Sequence, residues 1–159
     1  CCLQLFGEHS MNIVLHEPEI PYNTGNIIRL CANTGFNLHL VRPLGFSLEN
    51  KYLLRAGLDH HDLARLEIHE SLNSCLKNCE SKHIFAFTTK AKKLLYNNRF
   101  PPKPWLIFGK ETKGLPNRFL SSVDESNCLK IPIQSHSRCL NLSNAVAVAA
   151  YEVIRQTNF

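Results

Sequence analysis

Three polar segments carry the residue types that bind small ligands, and the first of them runs from Asn23 to Arg29. It places two amides, a hydroxyl and a guanidinium around the expected start of a helix. Backbone N–H groups at a helix N-terminus attract anions, and an arginine beside them strengthens phosphate binding. Asn23 or Thr24 could serve only to cap the helix. Because capping leaves Arg29 unexplained, the segment makes Arg29 a candidate phosphate-binding residue.

The second segment is the loop from Gly109 to Gly114 (GKETKG), which directly follows an apolar run. Glycine permits positive φ angles and lets a ligand approach the backbone closely. An ordinary turn between a strand and a helix does not require a carboxylate between two lysines, which favours a functional role for Glu111. The loop is not a dinucleotide fingerprint or a P-loop, since the chain contains neither GxGxxG nor GxxxxGK[ST].

The third segment runs from Ser137 to Ala145 (SRCLNLSNA) and crowds small polar side chains before an apolar helix. One or two of them would suffice to cap that helix. The others need hydrogen-bond partners or a ligand, because buried polar groups are nearly always paired. The segment is therefore a third candidate wall of a binding site.

The elements that must position these segments alternate between strands and helices. Short apolar runs predict strands over 12–15, 38–41, 66–68, 84–88, 105–108 and 129–133. Helices are predicted over 23–34, 51–58, 71–79, 115–122 and 142–156, and an irregular connection over 89–104. This order predicts an α/β fold with a largely parallel sheet. Such sheets bind ligands at the C-terminal ends of their strands, where the three segments fall.

Composition limits the class of protein. The chain has 159 residues, of which 44% are hydrophobic, and this fits one domain with a buried core. No apolar run approaches the roughly 20 residues needed to cross a bilayer, so we expect no membrane partner. Seven cysteines at irregular spacings predict reduced thiols and a cytoplasmic protein rather than a disulfide framework. A net charge of +5 favours a polyanionic partner only weakly.

Residues 1–10 lie before the only methionine, Met11, and lack the features of a signal peptide. We expect them to be an extra segment or a cloning remnant, followed by a single domain over residues 11–159. The neighbouring residues Asp59, His60, His61 and Asp62 do not predict a metal site, because adjacent side chains rarely converge on one ion. We therefore expect no metal ion.

The three segments resemble, in the same order, the three sequence motifs of the SPOUT class of RNA 2′-O-methyltransferases. The resemblance is stronger for the subgroup that methylates the wobble ribose of tRNA, and it spans residues 12–156. Its most specific strings are 17–21 (EPEIP), 23–36, 57–59, 85–89 (FAFTT), 141–144 (NLSN) and 151–152. Strings of this length do not arise from composition alone.

The resemblance implies an α/β sheet whose C-terminal part is threaded into a deep trefoil knot. It implies S-adenosylmethionine as cofactor, tRNA as partner, and methyl transfer to the 2′-hydroxyl of the wobble nucleotide, a cytidine or uridine. It also implies a homodimer in which the first and last helices pack across the interface, here with Ile28, Leu142 and Val146. Two alternatives stay open: a ribosomal-RNA ribose methyltransferase of the same class, and a noncatalytic RNA-binding protein.

The resemblance also assigns site residues. Those implied in catalysis are Arg29, Asn23, Glu111 and Asn141. Those implied in cofactor binding are Phe87, Gly109, Glu111, Gly114, Ile131, Ile133, Cys139, Leu140 and Ala145. Those implied in RNA binding are Arg29, Arg138, Ser137 and Tyr151. Because a guanidinium keeps its proton beyond about pH 12, we expect Arg29 to contact a phosphate and stabilise the developing alkoxide.

Two residues depart from the pattern of the resembling enzymes. Lys110 stands where a proline is usual, which predicts a looser loop with an added charge. Cys139 stands where a serine is common, which weakens any hydroxyl contact with the cofactor but leaves a backbone contact intact.

Overall fold

The computed structural model describes residues 11–49, 51–54, 60–63 and 66–158. Seven strands lie in this part of the chain: β1 Asn12–His16, β2 Asn37–Val41, β3 Leu66–His69, β4 Ile84–Phe87, β5 Lys93–Leu94, β6 Trp105–Phe108 and β7 Cys128–Lys130. Six α-helices accompany them within the same residues: α1 Pro21–Thr34, α2 Lys51–Leu54, α3 His60–Leu63, α4 Leu72–Cys75, α5 Asn117–Ser122 and α6 Leu142–Asn158.

The strands form one sheet in the order β3-β2-β1-β6-β4-β7-β5, and every neighbouring pair is parallel. The predicted α/β fold with a parallel sheet is therefore confirmed. In the middle of the sheet, Ile13 of β1 lies beside Leu38 of β2 and Leu106 of β6. The middle of β1 and all of β6 are apolar because helices cover both faces of the sheet, whereas β2 carries the buried His39 between its leucines.

Alternate residues of each strand point to opposite faces of the sheet. Ile13 and Leu15 belong to the core cluster that α1 and α6 cover, whereas Val14 belongs to the cluster that α4 and α5 cover. Helix α6 supplies Val146 and Val153, both fully buried, to the first of these clusters. The two faces of the sheet therefore hold separate layers of core.

Helix α1 begins earlier than the sequence indicated. Pro21 is its first residue, where a missing N–H removes no helical hydrogen bond, and Ile20 precedes it without a side-chain cap. Asn23 and Thr24 lie buried inside the first turn, so the alternative that one of them only caps the helix is excluded. The helix ends where predicted, at Gly35, whose φ is 82° and whose N–H bonds a carbonyl of the last turn.

Other boundaries also differ. β7 ends at Lys130 rather than Ile133, and α4 ends at Cys75 although a helix to Cys79 was predicted. β5 lies within residues 89–104, which were predicted to be irregular. Of the helix predicted over 51–58, the first turn is present as α2. Its remainder, the string at 57–59 and the segment 1–10 lie outside the described residues.

The apolar residues expected at a dimer interface do not face outward. Ile28 is 1% exposed and Val146 is fully buried within this single chain, where α1 packs against α6. Leu142 is partly buried against the same core. The prediction that Ile28 and Val146 meet a second subunit is therefore wrong, and for Leu142 it stays a prediction. No helix in the described ranges is long and apolar enough to cross a membrane.

Candidate active site

A cavity of about 440 Å³ opens at the C-terminal ends of β4, β6 and β7. This volume is within the range of small-molecule sites. The cavity is lined by Asn23, Asn141 and all nine residues implied in cofactor binding, which are Phe87, Gly109, Glu111, Gly114, Ile131, Ile133, Cys139, Leu140 and Ala145. The three polar segments therefore meet at one edge of the sheet.

Aromatic and aliphatic side chains give the cavity its apolar surface. Phe87 ends β4 and Phe108 ends β6, and because the two positions pair in register, their rings stack with centroids 4.6 Å apart. Ile133 and Leu140, from the segment after β7, are each 41% exposed. Such surface suits the flat base of a nucleoside-like ligand.

Two glycines shape the loop that follows β6. A Cβ atom at Gly109 would lie 2.1 Å from the carbonyl carbon of Gly114 and 2.2 Å from the nitrogen of Leu115, so no larger residue fits there. Gly114 has a φ of 67°, and its N–H donates to the carbonyl of Lys110 at 2.9 Å. The loop therefore folds back tightly on itself beside the cavity.

One chain of hydrogen bonds links the three segments. Asn141 Nδ2 donates to Asn23 Oδ1 at 2.9 Å, and Asn23 Nδ2 donates to Glu111 Oε1 at 3.3 Å. A carboxylate only accepts hydrogen bonds, so Glu111 fixes the orientation of both amides. Residues that are 88 and 118 positions apart in the sequence are thereby held in one network.

Glu111 also binds the start of α1. Its Oε2 accepts the N–H of Glu19 at 2.8 Å, and its Oε1 accepts the N–H of Ile20 at 3.1 Å. The partial positive charge at a helix N-terminus stabilises a carboxylate in this place. The anion at this helix start is thus the protein's own side chain, rather than the ligand phosphate that the sequence pattern favoured.

Sequence reasoning missed a second connection between the first two segments. Thr112 donates its N–H and its hydroxyl to Glu19 Oε1, at 3.1 Å and 2.7 Å. Lys110 Nζ lies 2.8 Å from Glu17 Oε2. The prediction that Lys110 loosens the loop is therefore wrong, because its ammonium ties the loop to the segment after β1. The sequence contains one signal for this pairing, which is the presence of two glutamates before α1 and two lysines of opposite charge in the loop.

These contacts shift the titration of the groups involved. The hydrogen bonds from Thr112 hold the pKa of Glu19 below its ordinary value. The hydrogen bond with Glu17 raises the pKa of Lys110. Burial lowers the pKa of His16, at the end of β1, although the neighbouring Glu17 acts in the opposite direction. At neutral pH, Glu19 and Lys110 are therefore charged and His16 is neutral.

Asn141 also begins α6, because its Oδ1 accepts the N–H of Ser143 at 2.9 Å and the hydroxyl of Ser143 at 2.6 Å. We expect Asn141→Ala to lower the free energy of unfolding by about 1–2 kcal/mol, since it removes both the cap and the donor to Asn23. Asn141→Asp keeps the capping oxygen and should cost less. Urea denaturation measures both, with Asn144→Ala, an exposed change in the same helix, as control. Equal losses for the two Asn141 variants would contradict the capping role.

The residues implied in RNA binding lie outside the cavity. Arg29, Ser137, Arg138 and Tyr151 are exposed, and none is among the described residues that line it. Arg29 is the ninth residue of α1, two turns beyond the helix start, although the sequence placed it near that start. The argument that placed Arg29 beside helix N-terminal N–H groups is therefore wrong. Tyr151 is 51% exposed and therefore does not pack in the core.

Comparison with known proteins shows close relatives over nearly the whole chain. Residues 10–151 match the SpoU rRNA Methylase family. The chain is 47% identical over 148 residues to the tRNA (cytidine(34)-2′-O)-methyltransferase of Methylovorus glucosotrophus strain SIP3-4, covering 93% of this chain and 96% of that protein. It is 45% identical over 149 residues to the protein of the same name from Escherichia coli strain K12, covering 94% and 95%.

Solved structures share the fold. A structure described as giving insights into the 2-OH methylation of C/U34 on tRNA matches with a TM-score of 0.86 and 43% identity, covering 94% of this chain and 97% of that chain. The SpoU methyltransferase AviRb from Streptomyces viridochromogenes, in complex with AdoMet, matches with a TM-score of 0.79, covering 95% of this chain and 59% of that chain. At 19% identity, this second likeness shows the fold alone.

Proposed function

Since the chain belongs to the SpoU rRNA Methylase family, we propose that it transfers a methyl group from S-adenosylmethionine to the ribose 2′-hydroxyl of the wobble nucleotide of tRNA. The observation that carries this proposal is the single cavity in which the three motif segments meet. It is supported by 47% identity, over nearly the full length, to a tRNA (cytidine(34)-2′-O)-methyltransferase. The substrate nucleotide is accordingly a cytidine or uridine at position 34.

The residues around the cavity fit S-adenosylmethionine. Phe87, Ile133 and Leu140 offer apolar surface to the adenine, and the tight turn at Gly109 lets a ligand approach the backbone. The cofactor supplies a methyl group already activated by a positively charged sulfur. The protein must then orient the two reactants and help to remove the proton of the ribose hydroxyl. This chemistry requires no metal ion.

The proposal includes a homodimer in which Arg29 of one subunit completes the cavity of the other. Arg29 is exposed on α1 and lies outside the described lining of its own cavity, which supports action in trans. Tyr22 of α1 and Val148 and Tyr151 of α6 are large exposed side chains that the core leaves available for an interface. In this arrangement the guanidinium contacts an RNA phosphate and stabilises the developing alkoxide.

Substitution of Arg29 tests this role. We expect Arg29→Ala to lower kcat by about 100-fold or more, the size of effect seen when one electrostatic stabiliser is removed, while the affinity for the cofactor stays unchanged. Arg29→Lys keeps the charge but loses the planar fork, and we expect it to stay well below the original kcat. Arg99→Ala removes an exposed arginine outside the cavity and serves as control. Near-normal turnover of Arg29→Lys would contradict a bidentate contact.

Mixed subunits test whether Arg29 acts across a dimer. Arg29→Ala subunits keep the cofactor loop, and Gly109→Ala subunits keep Arg29. In a mixed dimer, one of the two sites combines both intact parts if Arg29 acts in trans. Methyl transfer should then reappear on mixing two inactive variants. Mixed dimers without any recovered activity would place Arg29 in its own subunit's site.

The substrate is tested with tRNA purified from a bacterial strain that lacks ribose methylation at position 34. After incubation with S-adenosylmethionine, nuclease digestion and mass spectrometry locate the added methyl group. We expect it on the ribose of nucleotide 34. Methylation of ribosomal RNA instead would favour the alternative substrate, and cofactor binding without transfer to any RNA would favour a noncatalytic protein.

The same proposal covers the organisation of the chain. In this proposal, residues 11–159 form a single domain whose C-terminal segments are threaded into a deep trefoil knot. The protein acts in the cytoplasm. The knot is supported by the position of β7 in the sheet. This strand lies between β4 and β5, which both precede it in the chain. The cytoplasmic location is supported by the cysteines of the described residues, all of which are free.

A further inference from the structure

Two histidines, a cysteine and a glutamate converge at the β2–β3 edge of the sheet, apart from the cavity. His39 lies on β2, Glu67 and His69 lie on β3, and Cys75 ends α4. Glu67 is the register partner of His39, and His69 follows two residues later on the same face. Helix α4 packs on this face and brings Cys75 beside the histidines.

The ligand atoms of His39, His69 and Cys75 are close enough to share one ion, and the carboxylate of Glu67 lies beside the two histidines. His39 Nδ1 lies 2.9 Å from His69 Nε2, and Glu67 Oε2 lies 3.5 Å from the first of these nitrogens and 3.6 Å from the second. One ligand atom from each of His39, His69 and Cys75 lies within 4.8 Å of the others. Ligand atoms around a tetrahedral zinc stand about 3.3–3.8 Å apart, so binding needs only small side-chain movements.

The ring of His39 is already oriented as a ligand. Asn12 Oδ1 lies 2.9 Å from His39 Nε2 and also accepts a hydrogen bond from Asn37 Nδ2 at 3.4 Å. Because an amide oxygen only accepts, Nε2 carries the proton and Nδ1 presents its lone pair to the cluster. Histidines that bind metals usually hold their second nitrogen in this way. His39 is 4% exposed, and the surrounding core keeps its ring in place.

We propose that His39, His69 and Cys75 bind a zinc ion, with the carboxylate of Glu67 as fourth ligand. Imidazole nitrogen and thiolate sulfur are the ligands that structural zinc sites use most. One thiolate and one carboxylate balance the two charges of the ion, so the site carries no net charge around the buried His39 and Cys75. Burial raises the pKa of Cys75 to about 12. The metal-free thiol is therefore protonated, and zinc binding releases this proton to solvent.

The bound ion joins elements that are too short to be stable alone. β3 and α4 contain four residues each, and β3 is an edge strand of the sheet. A single helical turn contributes almost no stability in isolation. A zinc ion held by β2, β3 and α4 anchors this edge to the rest of the sheet. The site is structural and does not depend on the proposed methyl transfer, because none of its residues lines the cavity.

Cobalt, a spectroscopic substitute for zinc, tests the site in the intact chain after removal of metal with a chelator. We expect one equivalent of Co²⁺ to produce the visible bands of tetrahedral cobalt and a thiolate-to-cobalt charge-transfer band, and zinc to displace it. Trp105 is the only tryptophan, and its ring centroid lies 4.7 Å from that of His39. Its fluorescence should therefore be quenched in step with the cobalt bands. Octahedral cobalt spectra, or no quenching at one equivalent, would overturn the proposal.

Cysteine variants identify the sulfur ligand. Cys75→Ser should remove the charge-transfer band and lower cobalt affinity by more than about 100-fold, beyond the usual effect of an outer-shell partner. Cys128→Ser changes a partly buried cysteine on β7 and should leave the band and the affinity unchanged. Persistence of the band in Cys75→Ser would also refute the assignment.

Discussion

Gly109→Ala is expected to lower the affinity for S-adenosylmethionine by about 100-fold or more, the loss that a misplacement of about 1 Å in a site can cause. The added Cβ would fall 2.1 Å from the carbonyl carbon of Gly114 and 2.2 Å from the nitrogen of Leu115. Both are backbone atoms, so no side-chain rotation relieves the contact. The loop must open, and the bridge between Lys110 and Gly114 breaks. Isothermal titration calorimetry with the cofactor measures the effect.

Gly114→Ala is the matched control within the same loop. Gly114 has a φ of 67°, but a Cβ there meets no atom within 4 Å. The substitution therefore costs only the backbone strain of a left-handed residue, about 1–2 kcal/mol. We expect a cofactor affinity clearly above that of Gly109→Ala. If Gly114→Ala proved the more harmful change, close backbone packing would not be the reason that glycine is needed at position 109.

Glu111→Ala is expected to reduce methyl transfer by about 100-fold, because hydrogen bonds to a charged group contribute about 1.5–3 kcal/mol each. The carboxylate accepts the N–H groups of Glu19 and Ile20 and the amide of Asn23. Without it, the start of α1 is no longer fixed to the cofactor loop, and the donors lose their partner. Single-turnover kinetics at saturating cofactor measures the chemical step.

Two further variants separate the charge of Glu111 from its shape. Glu111→Gln keeps one acceptor oxygen but turns an NH2 group towards the donors of the other and removes the charge, so it should lose most of what Glu111→Ala loses. Glu125→Gln removes an exposed carboxylate that pairs with Lys92 on the surface, and it should leave the rate unchanged. A fully active Glu111→Gln enzyme would show that the anion is dispensable at this helix start.

Much of the fold could be predicted because it depends on local patterns. The apolar runs at β1, β4 and β6 are strands, and the order of strands and helices is sufficient to predict a parallel sheet. The predicted ends of helices differ from the structure where two local sequence preferences compete. Asn23 is a good capping residue, yet Pro21 and the carboxylate of Glu111 move the helix start two residues earlier.

The candidate site could be predicted in its members but not in its contacts. The resemblance named every residue of the Asn141–Asn23–Glu111 chain, since each lies in a motif. It did not indicate that Lys110 pairs with Glu17, because the two residues are far apart in sequence and Lys110 departs from the usual pattern. The convergence of His39 and Cys75 was equally hidden, since strand register and the position of α4 bring them together.

The place of β7 in the sheet has a consequence for synthesis on the ribosome. β7 lies between β4 and β5, which both precede it in the chain. Until β7 has been synthesised, the slot between those two strands stays open. The cavity for the cofactor is also incomplete at that stage, since Ile131, Leu140 and Ala145 all follow β7. The ability to hold a methyl donor therefore arises only after β7 and α6 have been synthesised, so shorter nascent chains cannot sequester the donor.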